Sequence, residues 1–207
     1  MADITLSYKG STIATMSDSG SKTIQTAGKY CEGDIGLVYN KPQLIESWDF
    51  TNSLVGVERG VVASITDISQ DSNGITFSTA SGYLTIPISI LPISIEIDVV
   101  SMNLTSTNHR RFVMFSTEAG LVYRASGYNK WGFYSGSWEM TNISSTSFFD
   151  NCTVKISVDS AGLWSVYKDG TLVMQSTVSI IPQSKYFRIG SLTDSINNTI
   201  ISGLRVY

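Results

Sequence analysis

Apolar residues recur at every second position in this chain, and this alternation constrains the fold more than any other feature. Across residues 93–99, isoleucine or valine occupies each odd position, and Ser94, Glu96 and Asp98 lie between them. Residues 152–158 and 204–206 repeat the pattern. A period of two places successive side chains on opposite faces of a strand, one buried and one exposed. No stretch long enough for a helix carries an apolar stripe with helical spacing, so the pattern predicts an all-β chain.

Turn sequences such as Ser72-Asn73-Gly74 and Lys168-Asp169-Gly170 separate the alternating runs at short intervals. Many short antiparallel strands need a sandwich or a barrel to hide their edges. We therefore predict two antiparallel sheets packed face to face. The predicted strands lie near residues 46–50, 61–68, 74–78, 82–87, 93–101, 110–117, 120–125, 130–135, 152–158, 163–168, 171–176, 185–190 and 199–207.

Composition excludes several classes of partner. Only 15% of the 207 residues are charged, and the net charge is −3 with no basic stripe. Binding of duplex nucleic acid depends on neutralising phosphates, so we expect no nucleic-acid partner. No apolar run reaches the length of a bilayer span, so we expect no membrane insertion. The N-terminal residues lack the basic and apolar regions of a secretory signal, which favours synthesis in the cytoplasm without export.

A domain boundary is predicted near Asn40-Lys41-Pro42-Gln43. Residues 1–42 contain four short β segments, at residues 4–8, 12–16, 22–27 and 34–39. A unit of this size buries too little apolar surface to be stable alone. We expect it to attach to a neighbour or to another subunit, and the alternative is an extension that completes the main sheet. Residues 43–207 form the large domain.

The large domain resembles the concanavalin A-like lectin and glucanase superfamily, whose laminin-G and pentraxin types are jelly rolls. The resemblance is carried by Trp48-Asp49-Phe50, the hairpin at residues 154–173, the run Phe187-Arg188-Ile189-Gly190-Ser191 and the C-terminal residues 203–207. It implies a concanavalin A-like jelly-roll sandwich with a lectin-like function. Many relatives hold Ca²⁺ near the ligand site, and Asp71 and Asn73 are the residues that could contribute here, although no loop gathers three carboxylates.

The N-terminal segment is similar to the corresponding segments of tail and structural proteins of phages and prophages of Gram-positive gut bacteria. The similar residues are 21–32, with the string Lys-Thr-Ile-Gln-Thr-Ala-Gly-Lys-Tyr, and residues 34–39. The resemblance implies a virion component that displays the lectin-like domain.

Catalytic groups are sparse. Glu96 and Asp98 stand where laminarinase-type glycosidases of the superfamily carry three carboxylates, but Val100 and Ser101 occupy the third position. Retaining hydrolysis needs two carboxyl groups across the glycosidic bond, so this pair supports a glycosidase only as an alternative. His109 is the single histidine, and it has no second base or metal ligand. We therefore expect no enzyme, no cofactor and no metal site, and we assign His109 to a loop.

Aromatic residues are dense between positions 123 and 139, and polar residues are interleaved with them. Sugars bind by stacking their C–H faces on aromatic rings and pairing their hydroxyls with polar side chains. Trp131 and Phe133 share one strand face, and we expect them to fill the core. The predicted ligand-binding residues are Tyr123, Arg124, Tyr134, Trp138 and Glu139.

Together these features favour a non-enzymatic surface protein of a phage or prophage virion, either a tail receptor-binding protein or a head decoration protein. Its predicted ligand is a cell-surface or mucosal glycan, and residues 1–42 would bind other virion proteins in a homo-oligomer. The alternatives are a laminarinase-type glycoside hydrolase, a structural virion protein with no ligand, and a host cell-surface lectin.

Overall fold

In the computed structural model, the described part of the chain consists of strands and connections without a helix. The described residues are 3–8, 11–17, 35–40, 44–79, 81–87, 92–104, 109–115, 119–125, 127–177, 179–180, 186–191 and 193–207. In the first three of these ranges the structure describes the backbone alone. The all-β prediction is confirmed. The described residues include no apolar helix of the length that a bilayer span requires.

The backbone contacts divide the chain into two units, Met1–Gln43 and Leu44–Tyr207. In the first unit, β1 (Asp3–Tyr8) lies between β2 (Ser11–Ser17) and β3 (Ile35–Asn40) in an antiparallel sheet. The predicted strand at residues 22–27 and the whole of the phage-like segment at residues 21–32 lie outside the described residues. The attachment role of residues 1–42 stays a prediction.

The second unit is a sandwich of two antiparallel sheets, which confirms the predicted fold class. The seven-stranded sheet has the order β13 (Trp138–Met140), β12 (Lys130–Tyr134), β11 (Gly120–Arg124), β10 (Arg110–Met114), β17 (Phe187–Ser191), β8 (Gly82–Ile86) and β5 (Ser64–Thr66). The eight-stranded sheet has the order β16 (Thr171–Gln175), β15 (Trp164–Lys168), β14 (Cys152–Val158), β9 (Ile93–Met102), β18 (Thr199–Val206), β7 (Gly74–Phe77) and β6 (Ser69–Asp71), and β4 (Glu46–Asp49) pairs with β18.

Strand alternation decides which side chains form the core. In β9 and β14, Ile95 lies opposite Ile156 and Ile97 lies opposite Val154, and all four side chains are fully buried. Their sequence neighbours lie on the outer face of the same sheet because successive strand residues point to opposite sides. The same rule places Cys152 in the core, where burial raises the pKa of its thiol to about 11.

Aromatic rings join the two sheets across the core. Trp164 of the eight-stranded sheet lies 5.0 Å from Phe115 and 6.1 Å from Phe133 of the opposite sheet, measured between ring centroids. Trp131 packs edge-on against Phe149 at 4.9 Å, and its indole N–H donates to the carbonyl of Ser145. Both Trp131 and Phe133 are fully buried, so the prediction that they fill the core is confirmed.

The strand predicted at residues 61–68 is confirmed over residues 64–66 only, and the strand that follows it was not predicted. The structure has β5 in the seven-stranded sheet and β6 in the eight-stranded sheet, and Asp67 lies between them with φ of 54°. A residue in the left-handed region reverses the local path of the chain, and Asp tolerates this conformation better than most residues. The chain therefore crosses from one sheet to the other at a position that alternation alone does not mark.

A buried carboxylate fixes the loop that follows β4. Glu46 has no exposed surface, and it accepts hydrogen bonds from the backbone N–H groups of Ser47, Glu58, Arg59 and Val61. A Cβ at Gly56 would collide with its carboxyl group. Burial raises the pKa of Glu46, but the four backbone donors outweigh this effect and the net pKa is lowered.

Substituting Glu46→Gln should destabilise the domain by about 2–3 kcal/mol near pH 7, since an amide cannot accept as many N–H groups and carries no charge. A lowered folded-state pKa stabilises the fold above the unfolded pKa of about 4.3, and this contribution is lost as the pH falls through the folded value. The variant should therefore lose less stability on acidification than the wild type.

Urea denaturation across the acidic range measures both effects. Glu58→Gln is the matched control, because the Glu58 carboxyl is exposed and bonds to the Ser47 hydroxyl alone among the described residues. Equal stabilities and equal pH profiles for the two variants would contradict the assigned role of Glu46.

Candidate functional site

The outer face of the eight-stranded sheet holds the two carboxylates of the glycosidase alternative. Arg205 binds Asp98 with two hydrogen bonds of 2.7 and 2.8 Å, and its Nε donates to Glu96 at 3.1 Å. Lys155 and the Tyr207 hydroxyl also contact Glu96. Burial raises the pKa of Asp98, but the hydrogen bonds and charge of Arg205 lower this pKa by more than burial raises it, so the net shift is downward. A carboxylate held ionised by arginine is a poor general acid, so Asp98 is not suited to donate the proton that glycoside hydrolysis needs, and the contacts with Arg205 give both carboxylates a structural role in the sheet.

The outer face of the seven-stranded sheet is different in character. In β12, Trp131 and Phe133 point into the core, so Tyr134 lies on the outer face. Trp138 of the edge strand β13 is paired with Tyr134, and their rings lie 4.7 Å apart. In β11, Arg124 follows the buried Tyr123 and also faces outward. Three neighbouring strand segments thus present polar aromatic and cationic side chains on one surface.

Trp138 is the centre of this surface. Besides Tyr134, it contacts the His109 ring at a centroid distance of 5.2 Å and the Arg124 guanidinium carbon at 4.5 Å. The same guanidinium lies 4.0 Å from the ring centroid of Tyr128, which is half exposed. We call His109, Arg124, Tyr128, Tyr134 and Trp138 the Trp138 cluster. It gathers the rings of four residues and one guanidinium on the outer surface of the sheet.

Three of the five predicted ligand-binding residues therefore come together: Arg124, Tyr134 and Trp138. Tyr123 requires a correction. Its side chain is 1% exposed, its ring packs on Trp131, and its hydroxyl donates to the carbonyl of Ser144. Burial raises the pKa of Tyr123. Tyr123 and Arg124 are consecutive residues of one strand, so their side chains point to opposite faces of the sheet. Arg124 faces outward, and Tyr123 therefore faces the core.

Glu139 is engaged elsewhere. Its two carboxyl oxygens accept the backbone N–H of Thr177 at 2.8 and 2.9 Å. Glu139 belongs to β13, the edge strand of one sheet, and Thr177 follows β16, the edge strand of the other. The contact links the two sheets at their open side, so the structure gives Glu139 a structural role.

Sequence reasoning missed two members of the cluster. His109 lies in a connection, as predicted, but its ring packs on Trp138. Tyr128 lies in the turn between β11 and β12, and its ring is exposed there. An aromatic residue directly after a glycine was the sequence feature that could have indicated it. The Asp71 carboxyl, proposed for calcium, accepts the backbone N–H of Asn73 within its turn. The described residues contain no group of three or more His, Cys, Asp or Glu placed to hold a metal.

No protein-family model and no curated protein matches the sequence. Solved structures with a similar fold include the Trypanosoma rangeli sialidase in complex with sialic acid, at a TM-score of 0.58 and 16% identity, covering 79% of this chain and 30% of that chain. Another is domain 4 of a GH43 extracellular arabinanase from Geobacillus stearothermophilus in complex with arabinotriose, at 0.57 and 18%, covering 80% and 92%. A third is the receptor-binding domain of botulinum neurotoxin D, at 0.52 and 14%, covering 79% and 48%.

These matches correct one prediction. The chain was expected not to be an enzyme, yet two of the similar structures belong to a sialidase and an arabinanase. The fold therefore occurs within enzymes, and a lack of catalytic motifs does not place the chain outside them. The chain spans less than a third of the sialidase chain and nearly all of the arabinanase domain.

Replacing Glu139 by Ala should lower the free energy of unfolding by about 1 kcal/mol, because the Thr177 N–H loses its acceptor. Glu139→Gln retains one acceptor oxygen and should have a smaller effect. Urea denaturation of the three proteins gives the comparison. The proposed link between the sheet edges is refuted if the alanine variant is as stable as the wild type.

Proposed function

We propose that residues 44–207 form a glycan-binding domain that contacts its ligand through the Trp138 cluster. The observation that carries this proposal is the packing of Tyr134, His109 and Arg124 around Trp138 on the outer face of a rigid sheet. None of these four side chains is buried in the core. Binding residues are held best by regular elements, and β11, β12 and β13 supply three of the four.

The chemistry of the cluster suits a sugar. Pyranose and furanose rings present C–H groups on one face, which pack on aromatic rings, and hydroxyls at the rim, which need donors and acceptors. Trp138, Tyr134 and Tyr128 provide the rings, and the Arg124 N–H groups provide donors. The arabinanase domain of similar fold was solved with arabinotriose, and the sialidase with sialic acid. These ligands support the choice of carbohydrate over other small molecules.

Substituting Trp138→Ala should weaken glycan binding at least about tenfold, since truncating a central aromatic contact typically costs about 2 kcal/mol. A glycan array identifies the ligand, and calorimetry gives the dissociation constants. Tyr167→Ala is the matched control, because Tyr167 is a half-buried aromatic residue on the outer face of the other sheet. Mass spectrometry of the same incubations shows whether the glycan is shortened, since the fold also occurs in enzymes.

Circular dichroism and thermal unfolding confirm that both variants fold. Equal loss of affinity in Trp138→Ala and Tyr167→Ala would place the binding surface elsewhere. A wild-type protein that binds no glycan on the array would refute the function itself.

A second proposal concerns the particle on which the domain is displayed. We infer that the protein is carried on the surface of a phage or prophage virion, as a tail or head component, with residues 1–42 bound to other virion proteins in a homo-oligomer. The resemblance of residues 21–32 and 34–39 to phage structural proteins supports this inference. Copies arrayed on a particle would turn weak individual sites into tight attachment by raising the effective concentration.

Particles induced from the bacterium that carries the sequence provide the test. We expect the protein to band with purified particles in a density gradient and to be labelled by antibody on their surface. Recovery only in the soluble fraction, or in the membrane fraction, would contradict the virion placement while leaving the glycan-binding proposal intact.

A further inference from the structure

The Arg124 side chain is held by aromatic rings and has no acidic partner among the described residues. Its guanidinium lies over Tyr128 and over Trp138, and its side chain makes no hydrogen bond or ion pair with any described residue. Its Nε is buried and has no acceptor in the part of the chain that the structure describes. A guanidinium stacked on rings keeps its N–H groups in one plane, and this planar fork is the geometry that binds carboxylate or sulfate oxygens.

A second cation stands beside it. Lys130 is the direct partner of Arg124 in the β11–β12 ladder, so both side chains lie on the outer face. Like charges at paired positions repel each other, and this arrangement costs stability unless an anion is present. Within the described part of the chain, Lys130 has no ion pair, whereas Arg111 pairs with Asp194 and Arg205 pairs with Glu96 and Asp98.

The His109 ring is a third polar group of interest at the Trp138 cluster. The Nδ1 atom of His109, whose ring packs on Trp138, is buried and has no hydrogen-bond partner among the described residues. Buried polar atoms without partners are uncommon in folded proteins, and each one calls for an explanation. Two of them, Arg124 Nε and His109 Nδ1, belong to residues that contact one indole ring. The protein therefore leaves polar groups of the Trp138 cluster unpaired within its described part, and the exposed ends of these side chains are the groups that a polar ligand would meet.

We propose that the glycan bound by the Trp138 cluster is anionic, and that Arg124 and Lys130 bind its carboxylate or sulfate group while the rings of Trp138 and Tyr128 contact the sugar. This inference rests on the proposed glycan-binding function and adds the ligand class. The net charge of the whole chain is −3, so the paired cations are a local feature and do not reflect a generally basic surface.

Matched sugars test the charge directly. Lactose, 3′-sialyllactose and 3′-sulfolactose share one core and differ in their charged group, and oligogalacturonate is compared with its methyl ester. We expect the wild type to bind at least one anionic sugar about tenfold more tightly than its neutral counterpart, as for a charge-assisted hydrogen bond. Raising the salt from about 0.05 to 0.5 M should reduce this preference, because it screens exposed charges.

Arg124→Gln and Lys130→Gln should each move the ratio of anionic to neutral affinity toward one. Arg59→Gln is the control, because it removes the same charge from an exposed loop residue outside the cluster and should leave the ratio unchanged. Preference for the sialylated or uronate probes identifies a carboxylate site, and preference for the sulfated probe identifies a sulfate site.

Failure of the anionic ligand class and failure of the glycan-binding function give different results. If neutral sugars bind as tightly as their anionic counterparts, and Arg124→Gln and Lys130→Gln do not change the ratio, the anionic ligand class is wrong and the glycan-binding function stands. If neither the matched sugars nor the glycan array shows binding, the proposed function fails, and this inference fails with it.

Discussion

Each central strand of the sandwich must bury one face, and this requirement determines what the outer faces can carry. Ile95, Ile97 and their partners in β14 fill the core, so Glu96 and Asp98 are directed outward. On that sheet the outward charges neutralise each other through Arg205. On the other sheet the same rule directs Arg124 outward without an acidic partner in the described part of the chain. The two outer surfaces thus share a backbone geometry and differ in their chemistry.

The sequence predicted the fold class and most strands because alternation is a local signal. It also predicted Trp131 and Phe133 as core residues, since they share a face of one strand. The prediction for Tyr123 failed because it was based on aromatic density and did not apply the alternation that separates it from Arg124. The contacts of Glu139 with Thr177 and of His109 with Trp138 depend on which strands and connections meet in space, and this information is not contained in any short window of sequence.

The candidate site is built from a compact region of the chain. His109 precedes β10, and the other members of the Trp138 cluster lie on β11 to β13 or in the turn that joins β11 to β12. Strands that follow one another in sequence are also neighbours in the sheet, so few long-range contacts are needed to assemble the cluster. The aromatic core beneath it, with Trp131 packed on Phe149, holds β12 in place. Stability of the core and geometry of the surface are therefore connected through the same strand.

The Glu46 carboxylate also has a mechanical consequence. Tension applied to the chain ahead of Leu44 reaches β4 first, a strand of four residues whose ladder partner is β18. The four N–H groups that bond to Glu46 tie β4 to the loop that follows it, so β4 cannot peel away without breaking these bonds or carrying the loop with it. A domain that is tethered by its N-terminal end would resist shear at the point where the load enters.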